Sequence, residues 1–130
     1  MRNMRKQVSK YIKEKYRALP EHLWAKFPDY EVFRHSDNRK WFAIIMDVEP
    51  DKLGLEGDER IDIIDVKVDD SMLKDILLQQ VGFFPGYHMN KAKWISIALD
   101  GSVSLEEICR QIDNSFEATA NKKLRAASSK

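Results

Sequence analysis

Apolar positions near the start of the chain fall at three- and four-residue steps: Met4, Val8, Tyr11, Ile12, Tyr16 and Leu19. That spacing draws one stripe along an amphipathic helix, with Lys6, Lys10, Lys13, Lys15 and Arg17 mostly off it. Pro20 lacks the amide that would continue the ladder, so the helix is predicted to stop near Leu19. Residues 20–29 then read as a connector bracketed by Pro20 and Pro28, whose Trp24 and Phe27 are expected to plug the edge of the core. Tyr30 to His35 reads as a strand, Ser36-Asp37-Asn38-Arg39 as a polar turn, and Lys40 to Val48 as a second strand, which makes a β-hairpin. The second strand is apolar on both alternating faces, as suits a central position or a covered outer face.

Pro50 to Asp58 holds one Pro and two Gly and reads as a loop with one helical turn. Glu59 to Val68 offers a third strand, and Asp69 or Asp70 can cap a helix carrying Met72, Leu73, Ile76, Leu77 and Gln80. After Gly82 and Pro85-Gly86, a strand from about Lys93 to Leu99 puts Ile95, Ile97 and Leu99 on a core face and Trp94, Ser96 and Ala98 on the other. Asp100-Gly101 makes a turn, and Ser104-Leu105-Glu106-Glu107 is a capping box before a last helix with Leu105, Ile108, Cys109, Ile112 and Phe116 inward. Residues 1–120 are therefore expected to form one domain, followed by a basic, disordered tail over 121–130. The order α-β(3)-α-β(1-2)-α, with connections mostly too short for parallel crossovers, predicts a two-layer α+β fold with helices on a largely antiparallel sheet.

Composition adds little to this picture: 130 residues, 43% hydrophobic and 33% charged, describe a single globular domain. With no apolar leader and no run of about 18 apolar residues, the expectation is a cytoplasmic protein without a membrane partner. The formal charge of +1 conceals a dipolar chain. Residues 1–19 carry seven Lys/Arg against Glu14 alone, whereas residues 47–75 carry eleven Asp/Glu against four Lys/Arg. An acidic middle repels phosphate, so a nucleic-acid surface has to be local.

No Gly-x-Ser-x-Gly, His-Glu-x-x-His, P-loop or paired-Cys pattern accompanies His22, His35 and His88, so no catalysis and no cofactor is expected. Asp62, Asp65, Asp69 and Asp70 lack the glycine and glutamate positions of a calcium loop, and the single Cys109 has no second cysteine, so no metal is expected either. His88 is expected to fix its turn through a backbone hydrogen bond.

Several motifs together resemble the MmcQ/YjbR family. They are Phe33-Arg34-His35, Asp37-Asn38-Arg39-Lys40-Trp41-Phe42-Ala43, Leu53-Gly54-Leu55, and above all Gly86-Tyr87-His88-Met89-Asn90-Lys91-Ala92-Lys93-Trp94 leading to Leu99-Asp100-Gly101-Ser102-Val103. Members often carry His immediately before that Trp, where this chain has Lys93. The resemblance implies a compact two-layer domain grouped with secretion-chaperone-like folds, and a proposed DNA-binding activity through a double-wing arrangement.

Two function classes follow. In the DNA-binding reading, Arg34, His35, Arg39 and Lys40 at the hairpin and His88, Asn90, Lys91 and Lys93 at the strand entry contact phosphates, with Asn90 or Arg39 reaching a base edge. In the other, Trp41, Ala43 and Ile45 share a sheet face with Trp94, Ser96 and Ala98. If open, that face is a homodimer or protein-partner surface carried by Trp41 and Trp94; otherwise a helix or the Trp24–Phe27 connector covers it.

Overall fold

The computed structural model describes residues 3–120, so the predicted tail over 121–130 lies outside the described residues. The elements are α1 (Asn3–Tyr16), β1 (Glu31–Arg34), β2 (Trp41–Val48), β3 (Ile61–Lys67), α2 (Ser71–Leu78), β4 (Phe83–Pro85), β5 (Trp94–Ala98) and α3 (Leu105–Thr119). A single 3-10 turn over Pro50–Leu53 occupies the loop between β2 and β3. The five strands form one antiparallel sheet in the order β1-β2-β3-β5-β4. This is the expected α+β architecture, with the one-or-two-strand segment resolved as two.

α3 lies across β2 and β3, and α1 packs on α3, so both helices cover one sheet face. Their apolar stripes close over Phe42, Ile64 and Ile95, and Val8, Ile12, Ile108 and Ile112 are fully buried there. Burying each such side chain stabilises the fold by about 1.5–3 kcal/mol. Between the helices, the Asp113 carboxylate accepts from the hydroxyls of Tyr11 (2.8 Å) and Tyr16 (2.5 Å) and from Lys15 Nζ (3.0 Å). Burial works to raise its pKa, but these three donors hold it below the usual carboxylate value.

Caps appear where the residues foretell them. Asp70 accepts from the amides of Met72 and Leu73 at the start of α2, and Ser104 Oγ accepts from the Glu107 amide at the start of α3. Only this half of the Ser104 capping box forms as expected. The Glu107 carboxylate turns forward to Arg110 (2.5 Å) and Gln111 (2.7 Å).

Two expectations need correction. α1 ends at Tyr16, because Arg17 adopts a left-handed φ of 55° and breaks the helix before Pro20 can. Leu19 is consequently 77% exposed and does not join the stripe. The second correction concerns β2. The β1–β2 register shifts between Phe33 and Arg34, so Phe42 is an extra residue on β2. Phe42 and Ala43 both pack with the helix-side core, and alternation resumes from there. Ala43 and Ile45 thus face the helices, while Trp41 shares the opposite face with Ile44 and Met46.

Candidate functional site

The antiparallel register puts the start of β2, the end of β3 and the start of β5 at one end of the sheet. The hairpin turn 35–40 and the loop 86–93 therefore project from the same end, with β3 between them. β2 and β5 are two strand spacings apart, about 10 Å.

The hairpin turn is fixed from within. Arg39 takes a φ of 63°, its amide donates to His35 O (3.2 Å), and Asn38 Oδ1 accepts from the Lys40 amide (2.9 Å). His35 is buried, packed between Phe42 and Phe116, with Nε2 2.8 Å from Thr119 Oγ1. It therefore serves the core, and it borders a separate cleft with Tyr16, Phe42 and Phe116. Arg34 donates twice to the Glu21 carboxylate, from Nε at 2.6 Å and from a terminal nitrogen at 3.1 Å, and its guanidinium lies over the Trp41 ring. That geometry keeps Glu21 below the usual carboxylate pKa. Arg39 reaches the same carboxylate only at 3.6 Å and remains mostly exposed. Lys40 is exposed and its ammonium meets no partner among the described residues.

The loop 86–93 is anchored at its root. Gly86 donates its amide to Trp94 O, and a Cβ on Gly86 would stand 2.8 Å from that oxygen, so only glycine lets the two backbones approach this closely. Ser96 Oγ accepts from the Tyr87 amide (2.9 Å) and donates to Asp65 Oδ1 (2.5 Å). Asp65 is completely buried, its second oxygen has no hydrogen-bond partner among the described residues, and burial pushes its pKa up to about 8 against the opposing pull of Ser96 and Lys91. Asn90 Oδ1 accepts from the Ala92 amide, Asn90 O from the amides of Lys93 and Trp94, and Lys91 Nζ donates to Gly86 O (3.1 Å). His88 adopts a φ of 62° and packs its ring on Tyr87. It makes no backbone hydrogen bond with its ring among the described residues, which corrects the expectation that it pins the turn that way. Lys93 is exposed with a free ammonium among the described residues.

Connector and loop face each other across a cleft of about 370 Å³ on the face away from α1 and α3. Trp24, Phe27 and Tyr30 from the connector form one wall, Trp41, Ile44 and Met46 from β2 the floor, and His88 and Met89 the other wall. Trp24 stands edge-on to both Trp41 (6.0 Å) and Tyr30 (5.9 Å), and Phe27 stacks on Tyr30 (4.7 Å). Between the two coverings the sequence left open, the connector is the one realised. Trp94 is only 8% exposed and Ser96 and Ala98 are buried, so of the open and covered alternatives for this face the covered one holds. Trp41 and Trp94 do belong to one cluster, as foreseen, but only Trp41 reaches the cleft. That the connector aromatics line a cleft was missed, since a pair of aromatics between two prolines reads equally well as a plug.

The opposite end of the sheet has the opposite character. A basin of about 930 Å³ there is lined by seven carboxylates, among them Asp47, Glu56, Asp58, Glu59 and Asp62, with Arg60. Asp62 pairs with the buried Arg5 (3.3 Å), which also donates to Asp29 O. The four aspartates noted in the sequence do not converge: Asp65 is interior, Asp69 meets Lys67 (3.9 Å) and Asp70 caps α2. No helix among the described residues is long and apolar enough to cross a membrane.

Known proteins are similar to this chain in sequence and in fold. A relative from Bacillus subtilis (strain 168), "Uncharacterized protein YyaQ", is 42% identical over 115 residues, covering 88% of this chain and 97% of that protein. A crystal structure of a Pseudomonas syringae protein superposes with a TM-score of 0.86 at 46% identity, covering 89% of this chain and 98% of that one. The fold alone extends to a Deinococcus radiodurans protein, DR2400, of domain DUF419, with a TM-score of 0.67 at 20% identity over 91% of this chain and 79% of that one. The YjbR family model matches residues 13–118, a span that includes the hairpin, the anchored loop and both walls of the cleft, and the chain belongs to the YjbR family.

Proposed function

We propose that this chain is a non-enzymatic, cytoplasmic nucleic-acid-contacting domain, with its interface at the sheet end that carries the hairpin turn and the loop 86–93. The observation that carries the reading is the common projection of these two segments with exposed Arg39, Lys40 and Lys93. The spacing of about 10 Å between them lets one backbone run past both. They would be the two wings that the family resemblance implies. The acidic basin, which weighs against phosphate in a residue count, lies at the far end of the sheet. Asp70, at the end of the loop after β3, accepts the α2 amides of Met72 and Leu73 through one carboxylate oxygen. Arg34 is committed to Glu21, so its part is to hold the turn; Asn90 and Lys91 likewise shape the loop.

A salt titration by gel shift tests this. Binding to duplex DNA is expected to fall with a log–log slope near −0.9 per phosphate contacted, and Lys40→Ala with Lys93→Ala to make the slope shallower by about 2. Absence of association with duplex or single-stranded DNA at low salt would refute the reading.

One observation favours a second reading, a protein partner or a second copy of the chain: Leu23 (43%), Trp24 (37%) and Phe27 (44%) are exposed together on the connector. Light scattering on the wild type and on Trp24→Ala separates the two. Under this reading the wild type associates and the variant does not.

A further inference from the structure

The aromatic cleft and the lysines on the segments that build it point beyond a surface that only holds phosphates. Two of the three segments that build the cleft carry an exposed lysine next in sequence to a lining residue, Lys26 before Phe27 and Lys40 before Trp41, and the third carries the exposed Lys93 after Met89. Cations therefore lie on the segments that build the cleft, while its lining is aromatic and thioether with one imidazole, His88. The complement of that pattern is a polyanion with flat, pendant rings. A duplex satisfies only the lysines, because its bases are stacked on each other and present edges alone. A single strand can turn a base away from its own stack and onto an aromatic side chain, a contact available to any base because each has a π-face.

From this juxtaposition we infer that the domain takes single-stranded nucleic acid, with one unstacked base seated between Trp24 and Met89 over the β2 floor. This deepens the nucleic-acid reading above and rests on it. The seat is supported on both sides. Trp24 and Phe27 are held by Tyr30, whose hydroxyl donates to Asp47 O (3.2 Å), and by backbone bonds from Phe27 to Trp24 O and from Tyr30 to Phe27 O. Met89 and His88 are held by the Gly86–Trp94 approach and by the Tyr87 amide on Ser96. Trp24 and Phe27 keep 37% and 44% of their surface exposed although they pack on other rings, which leaves ring surface for a ligand.

The test compares three probes on the full chain: an oligothymidylate of about 12 nucleotides, within the span one such platform occupies, an abasic strand of the same length, and a duplex of the same length. The abasic strand has every phosphate and no rings. Expected is about tenfold weaker binding of the abasic strand than of the oligothymidylate, a difference that persists as salt rises because stacking does not depend on counterion release. Trp24→Ala should remove that difference while leaving abasic-strand binding unchanged. Equal binding of oligothymidylate and abasic strand, or tighter binding of the duplex than of either, would overturn the inference while the nucleic-acid reading stands. Binding of none of the three at low salt would overturn both. The wild-type comparison needs no variant, so a folding defect in Trp24→Ala cannot obscure the result.

Discussion

On one face of the sheet, two helices lay Val8, Ile12, Ile108 and Ile112 onto Phe42, Ile64 and Ile95, all fully buried. On the other, the cover is a ten-residue connector containing two prolines and carrying half-covered aromatics, with a loop rooted on a glycine and carrying Met89, and beneath them sit a buried carboxylate, Met46 and Trp94. The first face has what a scaffold needs: regular elements, matched apolar stripes and closed packing. The second has what contact needs: irregular segments positioned by a rigid sheet, ring surface left open, and exposed cations on the adjoining turn and loop. Stability should therefore reside mainly on the helix face and binding on the loop face, and the two should be separable by substitution.

The largest expected effect is on the helix face. Ile112→Ala should lower unfolding free energy by about 3 kcal/mol, as cavity-forming core truncations do, and leave nucleic-acid affinity unchanged at temperatures where the variant is folded; urea melts with gel shifts check both. Next comes the root of the loop. Gly86→Ala drives a Cβ into the Trp94 backbone, so a loss of about 2 kcal/mol is expected, here accompanied by weaker binding because the His88–Met89 wall shifts.

Asp65 gives a pH signature confined to the loop face. Its folded pKa is raised by burial to about 8 from the ordinary 3.8. Between these values the folded state keeps a proton that the unfolded chain has lost, so stability falls as pH rises from about 4 to about 8 and then levels. Asp65→Asn should abolish that decline and raise the melting temperature at pH 8 by on the order of 5 °C, seen in melts across pH. The smallest stability effect is expected for Trp24→Ala, under about 1 kcal/mol for a partly exposed ring, although it should weaken strand binding most.

The helix face was largely legible in the sequence, because 3.6-residue stripes and the Asp70 and Ser104 caps are local signals. So was the strand parity around Ile95 and Ile97. The loop face was less so. The run Trp41-Phe42-Ala43-Ile44-Ile45-Met46 is apolar throughout, so it carries no period from which the bulge at Phe42 could be read. The Arg34–Glu21 pair joins a strand to a proline-bounded connector across 13 residues, and nothing local distinguishes that arginine from a free one. The candidates His88, Asn90, Lys91 and Lys93 were correctly grouped as one loop, while the division into residues that shape it and residues that face outward required the hydrogen bonds.

The three tryptophans provide the most direct test, since Trp24 and Trp41 border the cleft and Trp94 lies buried under the same cover. Proton–nitrogen correlation spectra of the three indoles would be followed as an oligothymidylate is added. The account predicts that the Trp24 and Trp41 signals move together along one saturating curve while Trp94 stays nearly in place. Unmoved Trp24 and Trp41 signals on a strand that binds, with changes instead in the amides of α1 or α3, would contradict it.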